Sequence, residues 1–339
     1  MSFIKKLKEE DIISSYNFAR NSDFVFAEVL TREQFTKLDT KNLIVVQEDD
    51  SKVLYINKNI CLNENDIIFC NTYFVKELFK ILVHFRELKN LKLITNQTDH
   101  SINEKLFKLK PSNISEWYSI NVSINASGLF PIPLGLSNNY SPKNLNRTHF
   151  SNLKNEIFKA NKIYINFQEN TNYIKRSKVL KFFKDKEFVI TAQPDLPLDK
   201  YLNDLQEFKF TLAPNGNGID THRVWESLYA GSVPIVEKHK SFETLDDLNA
   251  LRVNNFYEIN ENIINNYEDK KQNNEKLNIK YWIKKIKSNS IDFEKQYSTT
   301  LSDDEIKNIS KKYFRNLKRE SYIKYIATLR RKILRKILN

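Results

Sequence analysis

The sequence has little cysteine, little glycine and no long hydrophobic run, and each shortage excludes a class of protein. Two cysteines among 339 residues, Cys61 and Cys70, are too few for a disulfide framework or a cysteine metal site. No stretch reaches transmembrane length and the first residues lack an apolar leader, so we expect a cytoplasmic protein. Neither the P-loop pattern GxxxxGK(S/T) nor a complete GxGxxG is present, which excludes the two best-known phosphate loops.

The basic charge of the chain is concentrated in its last residues. Residues 311–339 contain eleven lysines and arginines and one acid, so the preceding 310 residues carry only +2 of the total +12. A nearly neutral body argues against nucleic-acid binding. Apolar residues recur at helical spacing in 321–339, which predicts a basic amphipathic tail helix over 311–339. We expect residues 321–339 to contact an anionic membrane surface at the inner face; packing against the first domain is the alternative.

Alternating strand and helix patterns predict two α/β domains. The first domain covers 1–150 and opens with a helix over 1–20. Its further predicted elements are strands at 42–47, 52–57, 66–70 and 91–95, with the first two paired as a hairpin, and a helix over 72–88. The polar, turn-rich segment 137–150 marks the boundary. The second domain, 151–310, has predicted strands at 162–167, 187–191 and 251–256 and helices at 173–184, 201–207 and 268–288.

The most informative stretch is residues 208–237, FKFTLAPNGNGIDTHRVWESLYAGSVPIVE. An apolar β-prone run leads into a loop with two of the five glycines of the chain, and a second buried strand ends the stretch. Asp220 and Thr221 are N-cap residues for the helix that connects the two strands, and Gly231 is the C-cap of this helix. The order strand, loop, helix, strand predicts a βαβ unit with parallel strands.

Such a unit favours a phosphate. Gly216 and Gly218 let a ligand approach the backbone N–H groups, and the helix start carries a partial positive charge. Arg223 lies in the first turn, where its guanidinium reaches a diphosphate, and Glu226 on the same face suits ribose hydroxyls. These features together indicate a nucleotide diphosphate pocket. The alternative is an ordinary Gly/Asn turn whose Arg and Glu form a surface pair.

The same stretch resembles the donor-site signature of exostosin-like glycosyltransferases, in KFTLAPNGNG, THRVWESL and AGSVPIV. The shorter pattern WExL followed by GSVPI is also similar to the donor motif of α1,3-fucosyltransferases. The resemblance covers about thirty residues. It implies the GT-B fold, in which two Rossmann-like domains face each other across a cleft and the C-terminal one holds the sugar nucleotide.

The resemblance also implies the residues of the site. A UDP- or GDP-linked sugar would be held without a metal or other cofactor, so we interpret the acid cluster 48–50 as a solvated turn. The implied donor-binding residues are Arg176, Asn215, Gly216, Asn217, Gly218, Asp220, Thr221, His222, Arg223 and Glu226. Asn166, Asn170 and Thr171 are further candidates, and a solvated helix face is the alternative for Arg176. The basic loop 238–242 is a candidate for the diphosphate.

A catalytic base is predicted at the carboxyl end of strand 91–95, where ligands gather in open α/β sheets. Asp99 and His100 form an acid–base pair there, suited to take the proton of an acceptor hydroxyl. Exostosin-like sequences carry an Asp-His pair in this region. The alternative for Asp99 is the N-cap of the next helix.

We therefore expect an inverting, metal-independent glycosyltransferase that moves a sugar from a nucleotide sugar to a glycan or lipid-linked glycan in surface polysaccharide synthesis. Two alternatives stay open. A nucleotide-dependent oxidoreductase is disfavoured by the incomplete glycine pattern, and a nucleic-acid-binding protein would have to use the basic tail.

Overall fold

The computed structural model describes residues 3–85, 87–154, 158–271, 273–287 and 296–338, and the side chains up to residue 329. It is an α/β structure with one mixed and one fully parallel sheet. The N-terminal half supplies the mixed sheet. The strands of this half are β1 (Phe24–Thr31), β2 (Leu43–Glu48), β3 (Lys52–Asn57), β4 (Asn59–Leu62), β5 (Ile67–Asn71), β6 (Leu91–Asn96), β7 (Ile114–Ser119) and β8 (Leu129–Pro131). All of them except β4 belong to the mixed sheet.

The mixed sheet has the strand order β2-β3-β1-β5-β6-β7-β8. β2 and β3 form the predicted antiparallel hairpin, and β1 pairs antiparallel with β3. From β1 through β8 the pairing is parallel. Every residue of β5 and β6 is buried, as expected for central parallel strands covered on both faces.

The second sheet is formed by β9 (Ala160–Ile165), β10 (Val189–Thr191), β11 (Phe208–Leu212), β12 (Val233–Glu237) and β13 (Leu251–Val253). Its order is β10-β9-β11-β12-β13, and all its described pairs are parallel. The predicted βαβ unit is present, with Phe210 opposite Val233 across β11 and β12. Gly231 ends the connecting helix at φ 78°, a left-handed conformation that favours glycine.

The helices are α1 (Phe3–Lys6), α2 (Ser15–Arg20), α3 (Arg32–Thr36), α4 (Val75–Leu82), α5 (Glu104–Phe107), α6 (Tyr173–Phe183), α7 (Leu198–Glu207), α8 (His222–Ala230), α9 (Glu261–Asn265), α10 (Ile279–Ile286) and α11 (Asp303–Leu338). No helix of the described residues is both long and apolar enough to cross a bilayer.

The predicted helix over 1–20 was wrong, because side chains interrupt it. Ser14 accepts a hydrogen bond from the Asn17 backbone N–H at 3.1 Å and so begins α2 there. The Asn17 amide donates to the carbonyls of Glu9 (2.7 Å) and Ile12 (2.8 Å), which replaces helical bonds in the preceding segment.

Two other helices are shorter than predicted. The helix expected over 72–88 is regular only in α4, because the Asn113 amide donates to the carbonyl of Leu82 at 2.8 Å where the helix ends. The helix expected over 268–288 is reduced to α10, since the Asn278 side chain caps it by accepting from Lys280 N–H. Residues 86, 272 and 288 of these predicted segments lie outside the described residues.

The chain returns to the N-terminal half after the parallel sheet. β14 (Tyr297–Thr300) pairs antiparallel with β4, and α11 starts at Asp303, before the predicted start at residue 311. Ile306 and Ile309 are buried in the core of the mixed sheet, and the Tyr313 ring stacks on Phe74 at 5.2 Å. The first part of α11 therefore packs on the mixed sheet. Side chains from 330 onward, and with them much of the predicted apolar face, lie outside the described residues.

One buried cluster joins the two sheets. It combines Phe69 and Tyr118 of the mixed sheet with Trp225 and Tyr229 of α8. The Tyr229 hydroxyl accepts from Ile13 N–H at 3.1 Å and donates to a carbonyl near α10. Helix α8 is therefore fixed against both halves, and its first turn faces the space between them.

Candidate functional site

A cleft of about 870 Å³ lies between the carboxyl ends of the two sheets. From the mixed sheet it is lined by the segments that follow β6 and β7, including Asp99 and Asn121. From the parallel sheet it is lined by Asn166 after β9, by the glycine loop after β11 and by the first turn of α8. Its volume is that of a small-molecule site, at the edge where open α/β sheets bind ligands.

The glycine loop touches the opposite half of the cleft. A Cβ atom on Gly218 would lie 2.8 Å from Asn121 Nδ2 and 3.3 Å from Asp99 Oδ1, so a side chain has no room there. Asn121, itself at φ 55°, accepts from the backbone N–H groups of Ile219 (2.8 Å) and Asp220 (2.9 Å). The loop is thus held by a side chain of the mixed sheet.

Arg176 braces the same loop from the other side. Its guanidinium donates to the carbonyls of Pro214 (2.9 Å), Asn215 (3.0 Å) and Gln168 (2.8 Å). Only 4% of the residue is exposed, so the alternative of a solvated helix face is wrong. No carboxylate of the described residues forms an ion pair with it. Burial, and then the charge of Arg223, lower the pKa of Arg176 below its usual value.

Arg223 lies in the first turn of α8, half-buried and facing the cleft. Its guanidinium carbon is 6.0 Å from the ring centroids of Phe167 and Tyr201. Its Nε is buried and has no hydrogen-bond partner among the described residues. Arg223 and Glu226 do not form the surface ion pair considered as the alternative. The cleft therefore holds two guanidinium charges that no described carboxylate neutralises.

Glu226 is buried at the cleft wall, with 3% of the residue exposed. Its Oε1 accepts from Leu145 N–H at 3.0 Å and its Oε2 from the Tyr201 hydroxyl at 2.9 Å. Both bonds fix the direction of the carboxylate. Each oxygen keeps a further lone pair, so the group can still accept from a ligand hydroxyl.

Asp220, Thr221 and His222 connect the loop to α8. Asp220 accepts from Leu134 N–H (3.0 Å) and from the Trp225 indole (2.9 Å to Oδ2). Burial raises the pKa of Asp220 to about 7, against the lowering effect of these donors. Thr221 is the N-cap residue, but its hydroxyl makes no capping bond, contrary to the prediction. All three residues line the cleft.

The predicted pair Asp99 and His100 diverges in the structure. Asp99 lines the cleft beside Gly218. His100 is not among the lining residues; its Nε2 lies 2.9 Å from Oε1 of Glu320 on α11. The hydroxyl of Tyr73 donates to the other oxygen of Glu320 at 2.6 Å. The loop 98–100 therefore presents a carboxylate to the cleft and is anchored to α11 through its histidine.

Two residues that the sequence did not predict, Asn121 and Tyr201, hold the loop and the Glu226 carboxylate. Asn121 follows the end of β7, so the rule that pointed to loop 96–100 also applies to it. The basic loop 238–242 lines a different cavity rather than the cleft. In the part of the chain that the structure describes, no group of three or more His, Cys, Asp or Glu is arranged to hold a metal ion.

No protein-family model matches the chain, and no curated protein matches it significantly. The resemblance in residues 208–237 is thus a motif resemblance alone. Functional conclusions have to come from the geometry and charge of the cleft.

Proposed function

We propose that the chain is a glycosyltransferase of GT-B architecture that moves a sugar from a UDP- or GDP-linked donor to a glycan hydroxyl. The proposal is supported by a cleft between two α/β halves and by a glycine loop at the start of a helix that faces it. The loop and the first turns of the helix in residues 208–237, where the family resemblance lies, line one side of this cleft.

The observation that carries the proposal is the unneutralised charge of Arg176 and Arg223. Two guanidinium groups close to each other, one of them buried, are stabilised by an anion between them. Gly216, Asn217 and Gly218 border the same space, and so does the first turn of α8, where the unpaired N–H groups of a helix start favour an anion. A diphosphate satisfies all of these groups at once. Asn215 contributes through its carbonyl, which holds Arg176 in place.

Glu226 accepts from the ribose hydroxyls in this proposal, on the far side of Arg223 from the glycine loop. Tyr201 and Leu145 hold its carboxylate in one orientation, which favours recognition of a rigid ring over a flexible chain. His222 and Thr221 complete the wall at the helix start.

Asp99 is the catalytic base of the proposed reaction. Its carboxylate lies beside Gly218, next to the diphosphate position, where an acceptor hydroxyl would attack the anomeric carbon with inversion. The hydroxyl proton passes to Asp99, the new bond forms to the anomeric carbon, and the nucleotide diphosphate leaves. Arg176, Arg223 and the helix start stabilise the charge that develops on it, so no metal is required. His100 positions this loop through Glu320 rather than acting in the cleft.

The acceptor is a glycan or lipid-linked glycan, met at the inner face of a membrane. Beyond Glu320 the described face of α11 exposes Tyr322 (64%) and Tyr325 (60%), among lysines and arginines. Exposed aromatic side chains beside basic ones favour an anionic bilayer surface.

Calorimetric titration with UDP, GDP and their sugars tests the proposal. We expect one nucleotide to bind the full-length protein, and Arg223→Ala to weaken binding about 10- to 100-fold, because a charge-assisted hydrogen bond contributes about 1.5–3 kcal/mol. Arg32→Ala, which removes an exposed arginine paired with Glu48, is the control and should bind as wild type. Failure of all nucleotides to bind, or unchanged binding in Arg223→Ala, would refute the proposal.

A further inference from the structure

A second cavity, of about 530 Å³, opens after the carboxyl end of β12, beside the edge strand β13. It is lined mainly by basic side chains: Lys238, His239, Lys240, Arg252 and Lys270. Glu243 is the acidic residue among its lining. Nothing in the proposed donor site uses these groups.

Two of the cations in this cavity have no carboxylate partner among the described residues. Lys240 pairs with Glu243 at 2.8 Å, and Arg252 pairs with Asp246 at 2.6 Å. The Lys238 ammonium donates to the amide oxygen of Asn254. The Lys270 ammonium donates to the carbonyl of Ala250. Neither of these two forms an ion pair with a carboxylate of the described residues, so the cavity has an excess of positive charge.

His239 adds a directed hydrogen-bond donor. Its Nδ1 accepts from Ser241 N–H at 3.1 Å, so in the neutral ring the proton is on Nε2. Burial, and then the charge of Lys175, lower the pKa of His239. The ring is therefore neutral at physiological pH and offers an N–H without adding to the repulsion among the lysines.

The two cavities are neighbours along the chain. Asn121 lines the cleft and Asn125 lines the second cavity. Four residues span at most about 14 Å, which is within the reach of an oligosaccharide. The Ser241 hydroxyl donates to the carbonyl of Val122 at 3.0 Å and so fixes this segment against the basic loop.

We propose that the second cavity binds the oxyanion of an acidic saccharide, and that the acceptor glycan extends from the cleft into it. Lys238 and Lys270 supply the charge and His239 the directed N–H. A carboxylate of a uronic acid and a phosphate substituent share this chemistry. The identification of the ligand as the acceptor rests on the proposed function; the anion site itself does not.

The five histidines of the chain make the test simple, because a histidine-labelled sample gives few resonances. His222 lines the cleft and His239 the second cavity, and His239→Gln and His222→Gln assign them. The full-length protein is titrated with tetragalacturonate, with its fully methyl-esterified form, with inorganic phosphate and, separately, with UDP and GDP. We expect tetragalacturonate or phosphate to shift the His239 resonance, and the ester to leave it unchanged.

The double variant Lys238→Gln, Lys270→Gln tests the charge. Both side chains are solvent-exposed and make no ion pair with a described carboxylate, so the fold should tolerate their loss, and unchanged resonances of the other histidines check this. We expect about tenfold weaker anion binding, equal to about 1.4 kcal/mol, whereas Lys105→Gln, an exposed lysine elsewhere, should have no effect. Increasing salt should weaken binding in the wild type.

The outcomes separate the two proposals. Nucleotide shifts at His222 without any anion shift at His239, or equal shifts with the methyl ester, would overturn the second site and leave the donor site standing. Anion shifts at His239 that the double variant weakens, with no nucleotide response at His222, would support the second site and refute the transferase.

Discussion

Substitution of Gly218 by alanine is the most direct test of how the two halves meet. The new methyl group would lie 2.8 Å from Asn121 Nδ2, closer than non-bonded carbon and nitrogen atoms approach. Asn121 has little freedom to move away, because its Oδ1 accepts from the N–H groups of Ile219 and Asp220. The backbone of Gly218 is not in the left-handed region, so the effect comes from the contact alone.

The magnitude follows from the bonds at risk. Displacement of Asn121 gives up two hydrogen bonds at about 0.5–1.5 kcal/mol each, or about 1–3 kcal/mol together. At about 2.1 cal/mol/K of unfolding entropy per residue, a cooperative chain of this length loses roughly 3 °C in melting temperature for 2 kcal/mol. Nucleotide affinity should also fall. If displacement of the loop N–H groups removes about 1.4 kcal/mol of binding free energy, the affinity falls about tenfold.

Gly231→Ala is the matched control. Its φ of 78° makes alanine cost about 1–2 kcal/mol by backbone strain, but its nearest neighbour is the end of the Lys159 side chain at 3.8 Å, away from the cleft. Scanning calorimetry and nucleotide titration should show both variants destabilised and only Gly218→Ala impaired in binding. A Gly218→Ala protein that melts and binds as wild type would refute the contact.

Three further predictions concern the reaction and the C-terminal helix. Asp99→Asn should lower turnover at least 100-fold, measured by release of the nucleotide diphosphate, with nucleotide affinity unchanged; equal turnover would exclude Asp99 as the base. Glu320→Ala should lower turnover about fivefold at unchanged nucleotide affinity, because His100 and the loop 98–100 lose their anchor on α11. The loss of one hydrogen bond costs about 1 kcal/mol, which corresponds to a factor of about five in rate. Tyr322→Ser with Tyr325→Ser should reduce co-sedimentation with anionic vesicles, and unchanged sedimentation would count against the membrane surface.

The central βαβ unit could be predicted because its signals are local. Strand β11 (FKFTL) is rich in apolar and β-prone residues, and β12 (VPIVE) is apolar up to its last residue. Gly231 ends the helix, and Gly216 and Gly218 mark the turn after β11. Each signal depends on the conformation of neighbouring residues rather than on distant contacts. Trp282 is 3% exposed for a similar local reason, because its helical spacing places it on the apolar face of α10.

Strand β1 was not predicted, because the burial of its charged residue depends on partners that are distant in the sequence. Glu28 interrupts its apolar run, and a charged residue in a central strand argues against burial. In the structure Glu28 is fully buried, with Arg20 paired to its carboxylate and the Tyr55 hydroxyl donating to it at 3.0 Å. The pattern of residues 24–31 does not predict that Arg20 and Tyr55 are the partners of Glu28.

The roles of the cleft residues also depend on contacts between distant parts of the chain and could not be predicted from the sequence. The motif predicted which residues surround the loop, but not which of them touch a ligand and which hold the others. Arg176 and Glu226 are both buried and both engaged with the protein, Arg176 through three backbone carbonyls. Their roles depend on where α6 and α7 pack, which a single sequence does not specify.

The distribution of charge explains why the composition gave no sign of the two basic cavities. The body of the chain carries a net charge near +2, which suggests a surface without strong preference for anions. The structure nevertheless places Arg176 and Arg223 in one cavity and Lys238 and Lys270 in another, all without described carboxylate partners. Because electrostatic interactions weaken within about 10 Å at physiological salt, a ligand responds to these local excesses and not to the average. The cleft follows β9 and β11, and the second cavity lies beside β12 and β13, so both border the same parallel sheet. In the proposed complex, a substrate with two anionic groups would contact both.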